Sequence, residues 1–108
     1  MATTYKVLGQ VNPSATTEST LYTAASAAVV STIMICNQAS SAATYRIAVR
    51  PAADGSTAAK HWIVYGATVG ASDSTALTLG LTLATGDVIR VYSSSANISY
   101  SAFGSEIA

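Results

Sequence analysis

Charge is scarce in this chain. Lys, Arg, Asp and Glu supply 9% of its 108 residues, five basic against five acidic, where an average soluble protein carries roughly 25%. Phosphate backbones are held by clustered Lys and Arg. Here Lys6, Arg46, Arg50, Lys60 and Arg90 are scattered along the sequence, so nucleic acid is not an expected partner. A net charge of zero leaves little repulsion between copies and favours association. A Ser-, Thr- and Ala-rich surface of this kind is expected to pack against other protein. Half of the residues are hydrophobic, which is the opposite of the composition of a disordered chain.

Cysteine occurs once. Cys36 cannot form an intrachain disulfide, and its position in an apolar run predicts a buried, inert thiol. A fold without disulfides suits a reducing cytosol. Met1–Tyr5 has neither the basic nor the apolar region of a secretory signal. The longest apolar segment, Ala27 to Cys36, is interrupted by Ser31 and Thr32 and falls short of the ~18 residues of a membrane helix; no membrane partner is expected. Histidine also occurs once. A zinc site or a catalytic triad would have to use His61, and Glu18, Asp54, Asp73, Asp87 and Glu106 lie mostly in turn-like segments or near the terminus. No HExxH, GxSxG or CxxC pattern is present, and Gly66 and Gly70 lack the spacing of a phosphate loop. The chain is therefore expected to be no enzyme, with no catalytic residue, metal site or cofactor.

What the chain does have is period-2 alternation. From Ser74 to Leu83, Leu77, Leu79, Leu81 and Leu83 alternate with Ala76, Thr78, Gly80 and Thr82, which places four leucines on one face of a strand. Gly80 in that run suggests a bulge or a close neighbour. Strands are likewise expected over Tyr5–Val11, Ser19–Thr23, Val29–Asn37, Tyr45–Arg50, Lys60–Tyr65, Asp87–Tyr92 and Asn97–Phe103, with Val29–Asn37 apolar on both faces and therefore central. Turn-forming clusters separate them, and the Ala-rich stretch Ala52–Lys60 has room for one helical turn. Short turns cannot carry parallel crossovers. The expected fold is all-β: one domain over residues 1–108, an antiparallel β-sandwich of seven to eight strands, jelly-roll or immunoglobulin-like. The expected core is Val7, Val30 or Ile33, Ile47, Val49, Ile63, Leu77, Leu79, Leu81, Ile89 and Val91. Residues 1–5, extending to Lys6, are the candidate for an arm that pairs with a neighbouring subunit.

Arg and large aromatic side chains are enriched at protein interfaces. The candidate interface residues are Tyr5, Arg46, Arg50, His61, Trp62, Tyr65, Arg90 and Tyr100, with one or two of the aromatics expected in the core. Arg46 and Arg50 should share a strand face, with Arg90 on a neighbour, and could meet Glu106 or Asp87 of another chain.

Several stretches carry a resemblance. The opening Tyr5-Lys6-Val7-Leu8-Gly9-Gln10-Val11-Asn12-Pro13-Ser14-Ala15, the segments Ile35-Cys36-Asn37 and Tyr45-Arg46-Ile47-Ala48-Val49-Arg50-Pro51, and the block Asn97 to Ile107 ending Phe103-Gly104-Ser105-Glu106-Ile107 resemble small virion structural proteins of tailed phages, many of which infect cyanobacteria. The resemblance runs over nearly the whole chain and implies a structural role without an active site. It implies assembly in the host cytoplasm into the virion, with the major capsid protein or tail components as partners. Capsid decoration or cement is the first role it suggests, and a tail, baseplate or fibre-attachment component the alternative. Homo-oligomers of cyclic symmetry, a trimer among them, suit either role.

Overall fold

The computed structural model describes residues 2–107. Eight strands are present: β1 (Thr3–Val11), β2 (Ser19–Thr23), β3 (Ala27–Asn37), β4 (Ala43–Arg50), β5 (Trp62–Val69), β6 (Ser74–Leu83), β7 (Val88–Ser93) and β8 (Ile98–Ile107). A single 3-10 turn, Ala59–His61, precedes β5 at the end of the Ala-rich stretch. The strands form two four-stranded sheets, β1-β8-β3-β6 and β2-β7-β4-β5, called A and B below.

This order identifies the topology. β1 pairs with β8, β2 with β7, β3 with β6 and β4 with β5, always antiparallel. The chain is thus one long hairpin, doubled back between β4 and β5 and then rolled so that β8 also meets β3 and β7 also meets β4. That is a jelly roll; an immunoglobulin fold would set seven strands in four and three.

The core lies between the sheets. Val30, Ile33, Ile35, Ile98 and Ala102 from sheet A meet Ile47, Ile89 and Val91 from sheet B, all fully buried. Each large aliphatic side chain so placed contributes roughly 1.5–3 kcal/mol of burial. Val30 and Ile33 both enter the core although they are three residues apart. The register against β8 shifts between Val30 and Thr32, and this bulge at Ser31 reverses which face the following residues occupy.

Sheet A is bulged along a line across its strands. Beside the unbroken β8, β1 carries an extra residue at Leu8 and β3 at Ser31, and β6 sets Leu79 and Gly80 against Ser31. Gly80 has φ +63°, the left-handed conformation that glycine adopts without strain. These shifts explain three departures from the expected core. Val7 borders the β1 bulge, Leu79 sits in the β6 bulge, and Ile63 is the extra residue of a bulge in β5. All three are exposed, at 49%, 40% and 46%. Leu77, Leu81 and Val49 pack at the rim of the core, Leu83 lies within it, and Leu8 and Val11 fill the place assigned to Val7.

Two further expectations change. Cys36 is exposed, because beyond the Ser31 bulge Ile33 and Ile35 point inward and their neighbours outward. Thr3–Lys6 is not a free arm: it pairs with Gly104–Ile107 of the same chain. Met1 lies outside the described residues. β1 also passes close to β2, where a methyl group on Gly9 would stand 2.1 Å from the Leu21 carbonyl oxygen, so only glycine lets the two backbones approach.

Candidate functional site

Strand pairing sorts the outward side chains into rows. Across sheet A the rows read Tyr5–Ser105–Val29–Thr82, then Val7–Phe103–Thr32–Thr78, then Gln10–Ser101–Met34–Ala76, and at the end Ser99–Cys36–Ser74. No charged residue occurs in any of them. Tyr5 is 83% exposed, and Tyr5, Lys6, Val29, Ser31, Phe103, Gly104 and Ser105 border a shallow groove of about 360 Å³ along the bulge line. Lys6 turns from this face toward Glu106, with Nζ and Oε1 2.7 Å apart. Glu106 also accepts a hydrogen bond from the Tyr22 hydroxyl of sheet B at 2.5 Å. The bonds from Lys6 and Tyr22 hold the Glu106 carboxyl below the usual glutamate range.

The outer face of sheet B is different. Arg46 on β4 is flanked by Tyr65 of β5 and Tyr92 of β7. Its guanidinium carbon lies 4.1 Å from the centre of the Tyr65 ring and 4.3 Å from that of Tyr92, with Trp62 at 6.0 Å. Such cation–π contacts are worth roughly 0.5–1 kcal/mol each at exposed sites. Trp62 and Tyr65 meet edge to face, their centres 5.6 Å apart. In the next row Arg90 reaches Glu18, Nε to Oε2 at 2.8 Å, and also bonds Thr20. Arg50 donates to the Thr57 hydroxyl at 3.2 Å, and Thr57 donates to Glu18 at 2.7 Å. Burial pushes the Glu18 carboxyl up, but the bonds from Thr57 and Arg90 and the nearby arginines outweigh it and the net shift is downward. Arg50 Nε is buried without a partner.

The segment that follows β4 folds back over this end of the sheet. Ala52 is held by Asp87, whose carboxylate also accepts from Ala84. His61, 5% exposed, fixes the rest. Its Nδ1 accepts from the Ala58 amide at 2.8 Å, so the ring proton lies on Nε2, which donates to Asp54 at 2.9 Å. The bond from His61 lowers the Asp54 pKa. Between this segment and β5 an open hollow of about 480 Å³ is lined by Thr57, Ala58, Ala59, Trp62 and Tyr65.

Of the eight candidate residues, Arg46, Arg50, Trp62, Tyr65 and Arg90 come together on sheet B, and Tyr5 stands alone on sheet A. His61 is a buried latch for the segment before β5 rather than an interface residue. Tyr100 is core: it is 1% exposed, and its hydroxyl lies 2.6 Å from Ser93 Oγ and donates to the Tyr92 carbonyl at 3.0 Å. Burial pushes its pKa up to about 12. The carboxylates proposed for inter-chain contact, Glu106 and Asp87, are engaged within the chain. Sequence reasoning missed Tyr92 and Glu18, which complete the sheet B cluster; the alternation Val88, Arg90, Tyr92 could have placed Tyr92 beside Arg46.

Among the described residues no three His, Cys, Asp or Glu side chains are grouped to hold a metal ion. Compared with known proteins, the chain matches no protein-family model and no curated protein.

Proposed function

We propose that this protein is a virion structural component, and that it decorates or cements a phage capsid by packing the outer face of sheet A against neighbouring subunits. The observation that carries the reading is that face: four strands wide, with no charged residue in its cross-strand rows, edged by exposed Tyr5 and Val7. Burying a charge against a partner is costly unless it is paired, and the one charged residue at the edge of the groove, Lys6, is already paired with Glu106. Many copies, each making a modest contact, would add up around a shell. The jelly roll occurs in viral capsid and lectin domains, but a fold alone does not assign function; the sequence resemblance to tailed-phage structural proteins supplies the link to the virion.

A second reading, a tail, baseplate or fibre-attachment component, draws on the other face, where Arg46, Tyr65 and Trp62 stand beside an open hollow.

Antibody-gold labelling of purified particles tests both. An even coat over the head is the expected result. Label at one end of the tail moves the protein to the attachment machinery, and particles without the protein by mass spectrometry would end both readings. A Val29→Asp change, which puts a charge in the middle of sheet A's outer face, should lower occupancy on particles while leaving the isolated domain folded.

A further inference from the structure

We propose that the hollow on sheet B is a binding site for a sugar ring that carries a carboxylate. Arg46 provides the first reason. Its guanidinium carbon lies 4.1 Å from the Tyr65 ring centre and 4.3 Å from that of Tyr92, so two aromatic rings hold it in place. Among the described residues, Arg46 has no hydrogen-bond or ion-pair partner, in contrast to Arg50 and Arg90. Its nitrogens are not buried either. A planar guanidinium packed against two rings, half-buried and with its donors unpaired, can make bidentate contact with a carboxylate.

The neighbouring surface supplies the rest of the class. Trp62 and Tyr65 both line the hollow and both touch the Arg46 cluster. The C–H face of a sugar is apolar and can lie against an aromatic ring while its hydroxyl rim stays wet, which suits amphipathic Tyr and Trp. A volume of about 480 Å³ falls in the range of small-ligand sites and gives a ring room that a flat protein contact would not need. The opposite wall, Ala58 and Ala59, is fixed by the bonds from His61 to Ala58 and Asp54, so little ordering remains to oppose binding. Charge agrees: the outer face of sheet B beside the hollow carries three arginines, and the carboxylates near it are engaged, Glu18 by Arg90 and Thr57 and Asp54 by His61.

Binding by the isolated protein does not depend on where the protein sits in a particle, so its failure is distinct from failure of either functional reading. The test is a titration followed by Trp62 and Tyr65 signals in two-dimensional NMR. Methyl glucuronide is the acidic probe, methyl glucoside the neutral one, and acetate and N-acetyl-glutamate amide are the non-sugar carboxylates. The expected result is saturable shifts with glucuronide at a Kd near ~1 mM, with the other three weaker by about tenfold or more. Tyr65→Ala and Arg46→Gln should each weaken glucuronide by about tenfold, and the amide spectrum of each variant reports directly that it remains folded. Tyr5→Ala, on the opposite face, should change nothing. No saturable shift with glucuronide overturns the proposal. So does equal binding of the glucoside, which leaves Arg46 without a role, or equal binding of acetate or the glutamate amide, which would make the site a carboxylate or acidic-peptide site.

Discussion

The two outer faces of this sandwich are built on sheets of equal strand number in one small domain, yet they have opposite chemistry. Sheet A presents hydroxyl and apolar side chains without charge. Sheet B gathers three of the five basic residues and sets Trp62, Tyr65 and Tyr92 around Arg46. A chain that is neutral and sparsely charged as a whole is therefore not uniformly so. Low charge content is a property of sheet A's face, while sheet B's cluster is net positive and the chain is brought to neutrality by the acids outside it, Asp54, Asp73, Asp87 and Glu106. One face can approach a partner without desolvating ions, while the other can recognise an ion.

The contrast depends on knowing which side chains of sheet A point outward, and this can be broken most severely at Ile33 and Leu79. Ile33→Asp puts an unpaired charge into the fully buried core and should unfold the domain, a loss of more than ~4 kcal/mol. Leu79→Asp, in the β6 bulge, should stay within about 1 kcal/mol of the parent in urea unfolding. If Leu79→Asp unfolds as readily as Ile33→Asp, the outer face of sheet A has been drawn wrongly. A smaller effect is expected where the sheets are tied together by polar bonds. Tyr100→Phe leaves Ser93 buried without its partner and should cost about 1–2 kcal/mol, seen as a lower thermal midpoint with unchanged circular dichroism.

On sheet B, Arg46→Ala removes a stacked cation and should cost about 1 kcal/mol. Because the contacts of Arg46 are to rings and not to carboxylates, raising salt should alter that loss little; a loss that vanishes in 1 M salt would mean that a Coulombic pair was in place instead. The smallest effect is at Glu106. Its carboxyl titrates below the usual range in the folded state, so its contribution is present at neutral pH and is lost as pH falls from the ordinary glutamate range through the folded pKa. Thermal midpoints below about pH 4.5 should fall more for the parent than for Glu106→Gln, and parallel curves would show that the Lys6–Glu106–Tyr22 tie carries no stability.

Much of the fold was legible in the sequence because period-2 alternation and turn clusters fix where strands begin and end. All eight expected strands are present, although β5 starts and ends later than Lys60–Tyr65 and β8 runs past Phe103 to Ile107, and the helical turn allowed for the Ala-rich stretch is the 3-10 turn Ala59–His61. What alternation cannot register is a bulge. One extra residue leaves the sequence pattern locally intact while the side chains change face, and Val7, Ile63 and Leu79, the three misplaced core residues, all lie at such shifts. Cys36 was misread for the related reason that an apolar neighbourhood does not reveal which face a residue occupies. At the candidate site, periodicity put Arg46 and Arg50 on one strand face, but that Arg90 stands on the next strand depends on the β4–β7 pairing, which periodicity does not encode. The hollow beside them was not legible, because its wall comes from a non-repeating segment positioned by a histidine, and the His61 bonds to Ala58 and Asp54 leave no periodic trace.

The rolled hairpin also has a consequence for biosynthesis. β8 lies between β1 and β3 and is the neighbour of both in sheet A. Until the ribosome has released Ile98–Ile107, β1 has no strand to pair with and the inner face of β3 lacks Ile98, Tyr100 and Ala102 beside it. Sheet B and the β3–β6 pair can form before β8 is made, but β1 must wait for it, so one edge of sheet A stays open until β8 has been synthesised.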